Sequence, residues 1–232
     1  MLDAEDLKRR AAAEALTRVE SGMRLGLGTG STMAHFLDLL GEALASGRLH
    51  DIVGVATSER TSTHAARLAI PVHSLADVGS LDLAVDGADE VDPGLDLVKG
   101  LGGALLREKM VVQAAARFVV IVDETKEVDR LGTRAPLPVE VVPFAWDAHA
   151  AFLGSLGGVA RRRHDNEGAF VSDNGNYILD VSFEGGIPDA RALDVALQAR
   201  AGVVETGLFI DVADEVLVAA EDGITARHRS LT

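Results

Sequence analysis

Three loops of this chain carry residues whose types and spacing suit chemistry. DGADEVD ends an apolar run and gathers Asp86, Asp89, Glu90 and Asp92, with Gly87 and Ala88 between the first two. Carboxylates at that density either ligate a metal or move protons; for Glu90 and Asp92 an acidic turn capping Pro93-Gly94 is a further reading. Shortly after, KGLGGALLREKM sets Lys99 at the mouth of Gly100, Leu101, Gly102 and Gly103, then opens a helix carrying Glu108. Such glycines let backbone N–H groups approach a ligand closely while lysine adds a point charge; the bland alternative is a sharp turn beside a solvated lysine, with REK a solvent-facing run. GLGTGST places Gly26, Gly28, Thr29 and Gly30 after an apolar run, with Ser31 and Thr32 at a helix start. Orphan N–H groups and hydroxyls there suit a phosphate, or the loop is a plain tight turn.

Several chemistries are excluded by spacing. The third glycine of GLGTG comes one residue too early for a dinucleotide fingerprint, and no lysine follows for a nucleotide-triphosphate loop. A calcium loop beginning at Asp82 meets Ala84 where a ligand is needed and Pro93 where the bidentate glutamate belongs. The histidines are scattered, so no dedicated metal site is expected. FVVIVDETK ends in Asp123, Glu124 and Lys126, the last serving a phosphate or pairing with Glu124. Trp146 and Tyr177 read as packing groups, and Arg161-Arg162-Arg163 reads as a solvated face with no chemistry assigned.

The elements that must position these loops follow from periodicity. Residues 3 to 20 predict an amphipathic helix, MRLGLG a strand, and MAHFLDLLGEALASG a helix ending at glycine. DIVGVAT, LDLAVDGAD and FVVIVDETK continue as strands, with a helix through THAARLA. Strands alternating with helices predict a parallel sheet covered on both faces, with ligands beyond the carboxyl ends of the strands. Three prolines, Pro136, Pro138 and Pro143, interrupt the alternation. Beyond them AWDAHAAFLGSLG predicts a helix, AFVSDNGNYILDVSF a hairpin turning at Asn174-Gly175, DARALDVALQAR a helix and VVETGLFI a strand, before EVLVAA returns to the main sheet. The expected organisation is a catalytic domain of residues 1–130 and 207–232 with a small α+β domain of residues 131–206 inserted.

Composition narrows the partners. With 36 acidic against 22 basic residues and a formal charge of −14, a nucleic-acid backbone would be repelled. No cysteine occurs, which removes disulfides and thiol chemistry. The charged N-terminal helix does not resemble a signal peptide and no apolar run is long enough to span a membrane, so a soluble cytoplasmic protein is expected.

Taken together, GLGTGST, VDGADE, KGLGGALLREK, PLPVEVVPF, SDNGNYILDV and GVVETGLF, in this order across nearly the whole chain, resemble type A ribose-5-phosphate isomerase. The resemblance implies a Rossmann-like domain with a small ferredoxin-like insertion, a homodimer or homotetramer, and interconversion of ribose 5-phosphate and ribulose 5-phosphate without metal or cofactor. It places the catalytic glutamate on Glu108, which would shuttle the C2–C1 proton. Asp86 and Asp89 would handle hydroxyl protons and Lys99 would balance negative charge. Substrate and phosphate contacts would fall on Thr29, Gly30, Ser31 and Thr32, on Gly87 and Ala88, on Gly100, Leu101 and Gly102, and on Lys8 and Lys126. Many members write the lysine-glycine loop with three consecutive glycines; here Leu101 interrupts them, and its side chain must point away from the ligand. Neighbouring readings are another sugar-phosphate isomerase, an amino-sugar-phosphate deaminase, or a sugar-phosphate sensor. A sensor would need no Glu108 with Asp86 and Asp89.

Overall fold

The computed structural model describes residues 2–166 and 168–229. Its contacts divide the chain into two units, one of Met1–Ala88, Arg107–Lys126 and Val212–Thr232, the other of Asp89–Leu106 and Glu127–Asp211.

The first unit is built on a six-stranded sheet. In spatial order its strands are Val53–Ala56, Arg24–Leu27, Leu83–Asp86, Phe118–Asp123, Glu215–Ala220 and Gly223–His228; the first five are parallel and the last closes the edge antiparallel. A strand covered on both faces has no solvent side to alternate toward, so Leu83–Asp86 and Phe118–Asp123 are buried at every position. From Arg24–Leu27 the chain moves outward to Val53–Ala56, then returns to Leu83–Asp86 on the opposite side. The winding therefore reverses between Arg24–Leu27 and Leu83–Asp86, and loops leaving their carboxyl ends diverge. That is where doubly wound sheets bind ligands. The two loops concerned hold Thr29–Thr32 and Asp86–Ala88.

The first helix, Ala4–Leu16, begins with a reciprocal cap: Asp6 N–H donates to Asp3 Oδ1 at 2.8 Å, and Asp3 N–H to Asp6 Oδ2 at 3.3 Å. It stops short of the expected residue 20 because the Thr17 hydroxyl donates to the Glu14 carbonyl at 2.6 Å and Gly22 takes φ +86°. Fully buried Ala11, Ala12 and Ala15 join a core that includes Leu25, Phe36, Leu83 and Ile121. No described helix is long and apolar enough to cross a membrane.

The second unit contains strand Leu137–Val141, helix Ala148–Ser155, strands Gly158–Arg162 and Tyr177–Phe183, helix Ala190–Gln198 and strand Val203–Thr206. In space the strands run Val203–Thr206, Leu137–Val141, Tyr177–Phe183, Gly158–Arg162, all antiparallel. This is the ferredoxin-like βαββαβ arrangement. The proline-rich stretch is thus an inner strand.

Two other elements differ from expectation. At Asn174-Gly175 the chain does turn, with Gly175 at φ +80°, but the arms meet only at the Val171–Tyr177 bridge. Tyr177–Phe183 instead pairs on that side with Gly158–Arg162. VVETGLFI is broken at Gly207, where a Cβ would lie 2.2 Å from the Lys99 carbonyl oxygen. Beyond the break Leu208–Phe209 joins Leu97–Val98, which pairs in turn with Glu90–Val91. This small sheet ties Asp89–Leu106 to the second unit, whereas the sequence reading leaves those residues in the first. Glu90 reinforces the tie by accepting the N–H groups of Gly132, Arg134 (2.5 Å) and Ala135 (2.7 Å).

Candidate active site

In the first unit the site grows from the last residue of a strand. Asp86 is 2% exposed, and its Oδ1 accepts the N–H of Gly87 at 2.8 Å and of Thr29 at 3.1 Å. The carboxylate leaves no room opposite: a Cβ on Gly28 would stand 2.1 Å from Asp86 Cγ. Gly28 is therefore dictated by the carboxylate, and Gly26 by Val111 Cγ1, which a Cβ would meet at 2.5 Å. Gly30 alone has a conformational reason, φ +140°, and it precedes the helix Ser31–Ala45. No side chain caps that helix, which leaves the N–H groups of its first turn to solvent or an anion. Ser31 is exposed and Thr32 half-buried at this end.

Thr29 faces the other way. Its hydroxyl is buried among Thr57 Oγ1 (2.7 Å), Ser58 Oγ (2.8 Å) and Thr61 Oγ1 (3.1 Å), and Thr61 donates onward to the Gly28 carbonyl at 2.9 Å. What Thr29 presents to Asp86 is its backbone.

Glu108 lies in the first turn of helix Leu105–Gln113 and is only 2% exposed; Lys109 beside it is buried as well. The REK run is thus not solvent-facing, and only Arg107 reaches outward, pairing with Glu59 at 2.8 Å. Lys8 pairs with Glu5 at 2.6 Å. Hydrogen bonds from Lys8 and then His35 hold the Glu5 carboxyl below the ordinary carboxylate range. Lys126 ends the 3-10 turn Glu124–Lys126 half-buried, without an ion-pair partner among the described residues. The Asp123 carboxylate accepts from Thr125, at 3.0 Å from its N–H.

In the second unit one small hairpin presents two groups together. Glu90 is paired with Val98, so Asp89 and Lys99 stand at the open end of its two arms, with Asp89 N–H on the Val98 carbonyl at 2.8 Å. Lys99 is 2% exposed, its N–H donates to the Gly207 carbonyl at 2.8 Å, and its ammonium stands 5.4 Å from the Phe209 ring centroid. The glycine loop then turns, with Gly100 at φ +104°, Gly103 at φ +80° and Gly103 N–H on the Gly100 carbonyl at 3.0 Å. Asp89 Oδ2 accepts Leu101 N–H at 2.9 Å. Leu101 turns its side chain outward, 43% exposed, and Gly102 is exposed. Asp92 is a turn residue, its Oδ1 accepting Gly94 and Asp96 N–H groups at 2.8 and 2.9 Å.

Of the arginine run, Arg161 is exposed as expected, but Arg162 and Arg163 are not solvated. Arg162 lies 4.6 Å from the Trp146 ring centroid and 5.2 Å from that of Tyr177, both packed against the core of the second unit. Arg163 pairs with Asp180 and donates to the carbonyls of Gly100 and Leu101. A run of three like charges offers no sign of this.

The comparisons with known proteins agree with this architecture. A family model described as ribose 5-phosphate isomerase A (phosphoriboisomerase A) matches residues 53–223. Ribose-5-phosphate isomerase A of Rhodopseudomonas palustris (strain HaA2) is 50% identical, with 99% of this chain and 100% of the relative covered. That of Roseiflexus castenholzii is 54% identical over 94% of this chain and 93% of its own length. A solved D-ribose-5-phosphate isomerase in complex with phospho-erythronic acid superposes with a TM-score of 0.95 at 43% identity, covering 98% of this chain and all of the other.

Proposed function

We propose, for a chain that belongs to the ribose 5-phosphate isomerase A family and interconverts ribose 5-phosphate and ribulose 5-phosphate, that Glu108 is the base that carries the proton between C2 and C1. The reaction removes the proton on the carbon beside the aldehyde, passes through an enediolate, and returns a proton to C1. It needs one carboxylate placed to accept and give back that proton, with partners for the two oxygens. The observation carrying this assignment is the burial of Glu108 within a run of charges that would ordinarily be solvated.

In this reading Asp86 and Asp89 manage the hydroxyl protons during ring opening and enediolate formation, and the Lys99 ammonium offsets the charge that develops. Their carboxylates are oriented by backbone N–H groups, Asp86 by Thr29 and Gly87, Asp89 by Leu101, and orientation of this kind is what proton transfer requires. The uncapped start of helix Ser31–Ala45 takes the substrate phosphate through N–H groups and the Ser31 and Thr32 hydroxyls, with Lys126, and Lys8 on leaving Glu5, adding charge. That a matched isomerase binds a phosphorylated sugar acid supports an anion in this role. The family resemblance also supports a homodimer or homotetramer, which sedimentation would decide.

Glu108→Gln keeps the shape and removes the base. We expect kcat to fall at least roughly a hundredfold with KM little changed. Turnover within a few-fold of wild type, measured as ketose formation from ribose 5-phosphate, would place the base elsewhere.

A further inference from the structure

We propose that Arg163 is a positioning residue for this reaction, acting through the Lys99–Gly103 loop; the inference rests on the reading that this loop serves catalysis. The Arg163 side chain is 12% exposed, and its guanidinium uses both edges of its planar fork. One edge is bidentate on Asp180, with Nε donating to Oδ2 at 3.0 Å and Nη2 to Oδ1. From the other, Nη1 donates to the Gly100 carbonyl at 2.9 Å and the Leu101 carbonyl at 3.0 Å. Its flat face lies 5.6 Å from the Phe170 ring centroid, and Phe170 occupies the space a side chain on Gly103 would need.

This arrangement determines more than the glycine turn. Leu101 is gripped at both polar ends, its carbonyl by Arg163 and its N–H by Asp89 at 2.9 Å. Displacing Leu101 therefore reorients the Asp89 carboxylate, and displacing Gly100 moves the residue next to Lys99. Asp180 balances the guanidinium charge, so Arg163 contributes geometry here more than charge. A lysine cannot replace it, because an ammonium on a flexible stem cannot hold a carboxylate edge-on and two carbonyls at once. Arg161, exposed in strand Gly158–Arg162 two residues earlier, supplies a control of equal charge without these contacts.

The test compares Arg163→Lys, Asp180→Asn, Arg161→Ala and Lys99→Ala by steady-state kinetics with ribose 5-phosphate, alongside thermal unfolding of each. We expect Arg163→Lys to fold and to lose roughly 10- to 100-fold in kcat with KM within about threefold, the signature of misplaced reacting groups. Asp180→Asn should lose less but in the same direction, and Arg161→Ala should match wild type. Wild-type kcat in a folded Arg163→Lys, while Lys99→Ala is crippled, would overturn the positioning role and leave the loop reading intact. Wild-type kcat in Lys99→Ala would overturn the loop reading itself. If Arg163→Lys and Asp180→Asn both fail to fold, or lose activity only in step with their unfolded fraction, Arg163 merely holds the fold and the proposal falls. An equal loss in Arg161→Ala would also overturn it, by making the effect one of charge.

Discussion

Gly26, Gly28 and Gly30 in the first unit and Gly100, Gly102 and Gly103 in the second place the same residue at similar density before a helix, yet they answer different demands. In the first loop Gly28 is glycine because Asp86 occupies the space of its side chain, and only Gly30 needs a positive φ. The bracing is local, through hydroxyls of Thr29, Thr57, Ser58 and Thr61 on two successive strand-to-helix turns. In the second loop both Gly100 and Gly103 have positive φ, and the bracing arrives from about sixty residues away, from Arg163 just past strand Gly158–Arg162 and from Phe170. A strand-turn-helix unit can build an anion site from its own backbone; a loop leaving a two-residue strand has to be held by other side chains.

The sharpest break of this contrast is at Gly28. Alanine there must push Asp86 aside, so we expect Gly28→Ala to lose at least roughly a hundredfold in kcat, since misplacing a reacting group by about 1 Å costs that much. Gly30→Ala meets no atom within 4 Å and suffers only backbone strain, on the order of 1 kcal/mol, so its loss should be far smaller. Equal losses in the two variants, with both folded, would mean that positive φ rather than carboxylate space governs the first loop.

At Gly103 strain and collision act together, because a Cβ would stand 2.4 Å from Phe170 Cζ at φ +80°. Gly103→Ala should lose roughly tenfold in kcat, and combining it with Phe170→Ala should cost less than the sum of the two single changes. Strict additivity would mean that Phe170 does not brace the loop.

The sequence made the first loop largely legible and the second only partly so. A parallel sheet places its site at the ends of successive strands, so glycine spacing, Asp86 and the following helix all lie in local pattern. Glu108 was visible only through resemblance, because burial of a charged run is a tertiary fact. Arg163, Phe170 and Gly207 were not visible, since their reasons are contacts made across the fold. The same holds for Glu90, an apparent turn residue whose carboxylate closes the Gly132–Ala135 turn. Strand Gly223–His228 was missed because an exposed edge strand carries no continuous apolar run.

A smaller effect separates how the units hold buried carboxylates. Glu90 is satisfied by neutral N–H groups, whereas Glu215, 1% exposed, pairs with Arg18 at 2.8 Å and with Arg117. Burial pushes the Glu215 carboxyl upward, but the Arg18 hydrogen bond and the charges of Arg18 and Arg117 outweigh it and hold it below the ordinary range. A carboxyl lowered by folding stabilises the protein above its unfolded value, near about 4.3, and loses that contribution as pH falls through the folded value. Glu215→Gln should therefore lower the melting temperature by a few degrees at neutral pH, with the gap to wild type narrowing below about pH 4. A gap that widens in acid would contradict the sign of this coupling.

The central claim, that Glu108 carries the proton between C2 and C1, is tested most directly by running the isomerisation in heavy water and reading early product by NMR. A proton resting on a carboxylate can exchange with solvent, whereas a hydride passing directly from C2 to C1 cannot. The account predicts deuterium at C1 of ribulose 5-phosphate and slower labelling at C2 of recovered ribose 5-phosphate, with both signals lost in Glu108→Gln. Product free of solvent deuterium, formed at a rate that replacing Glu108 does not change, would contradict it.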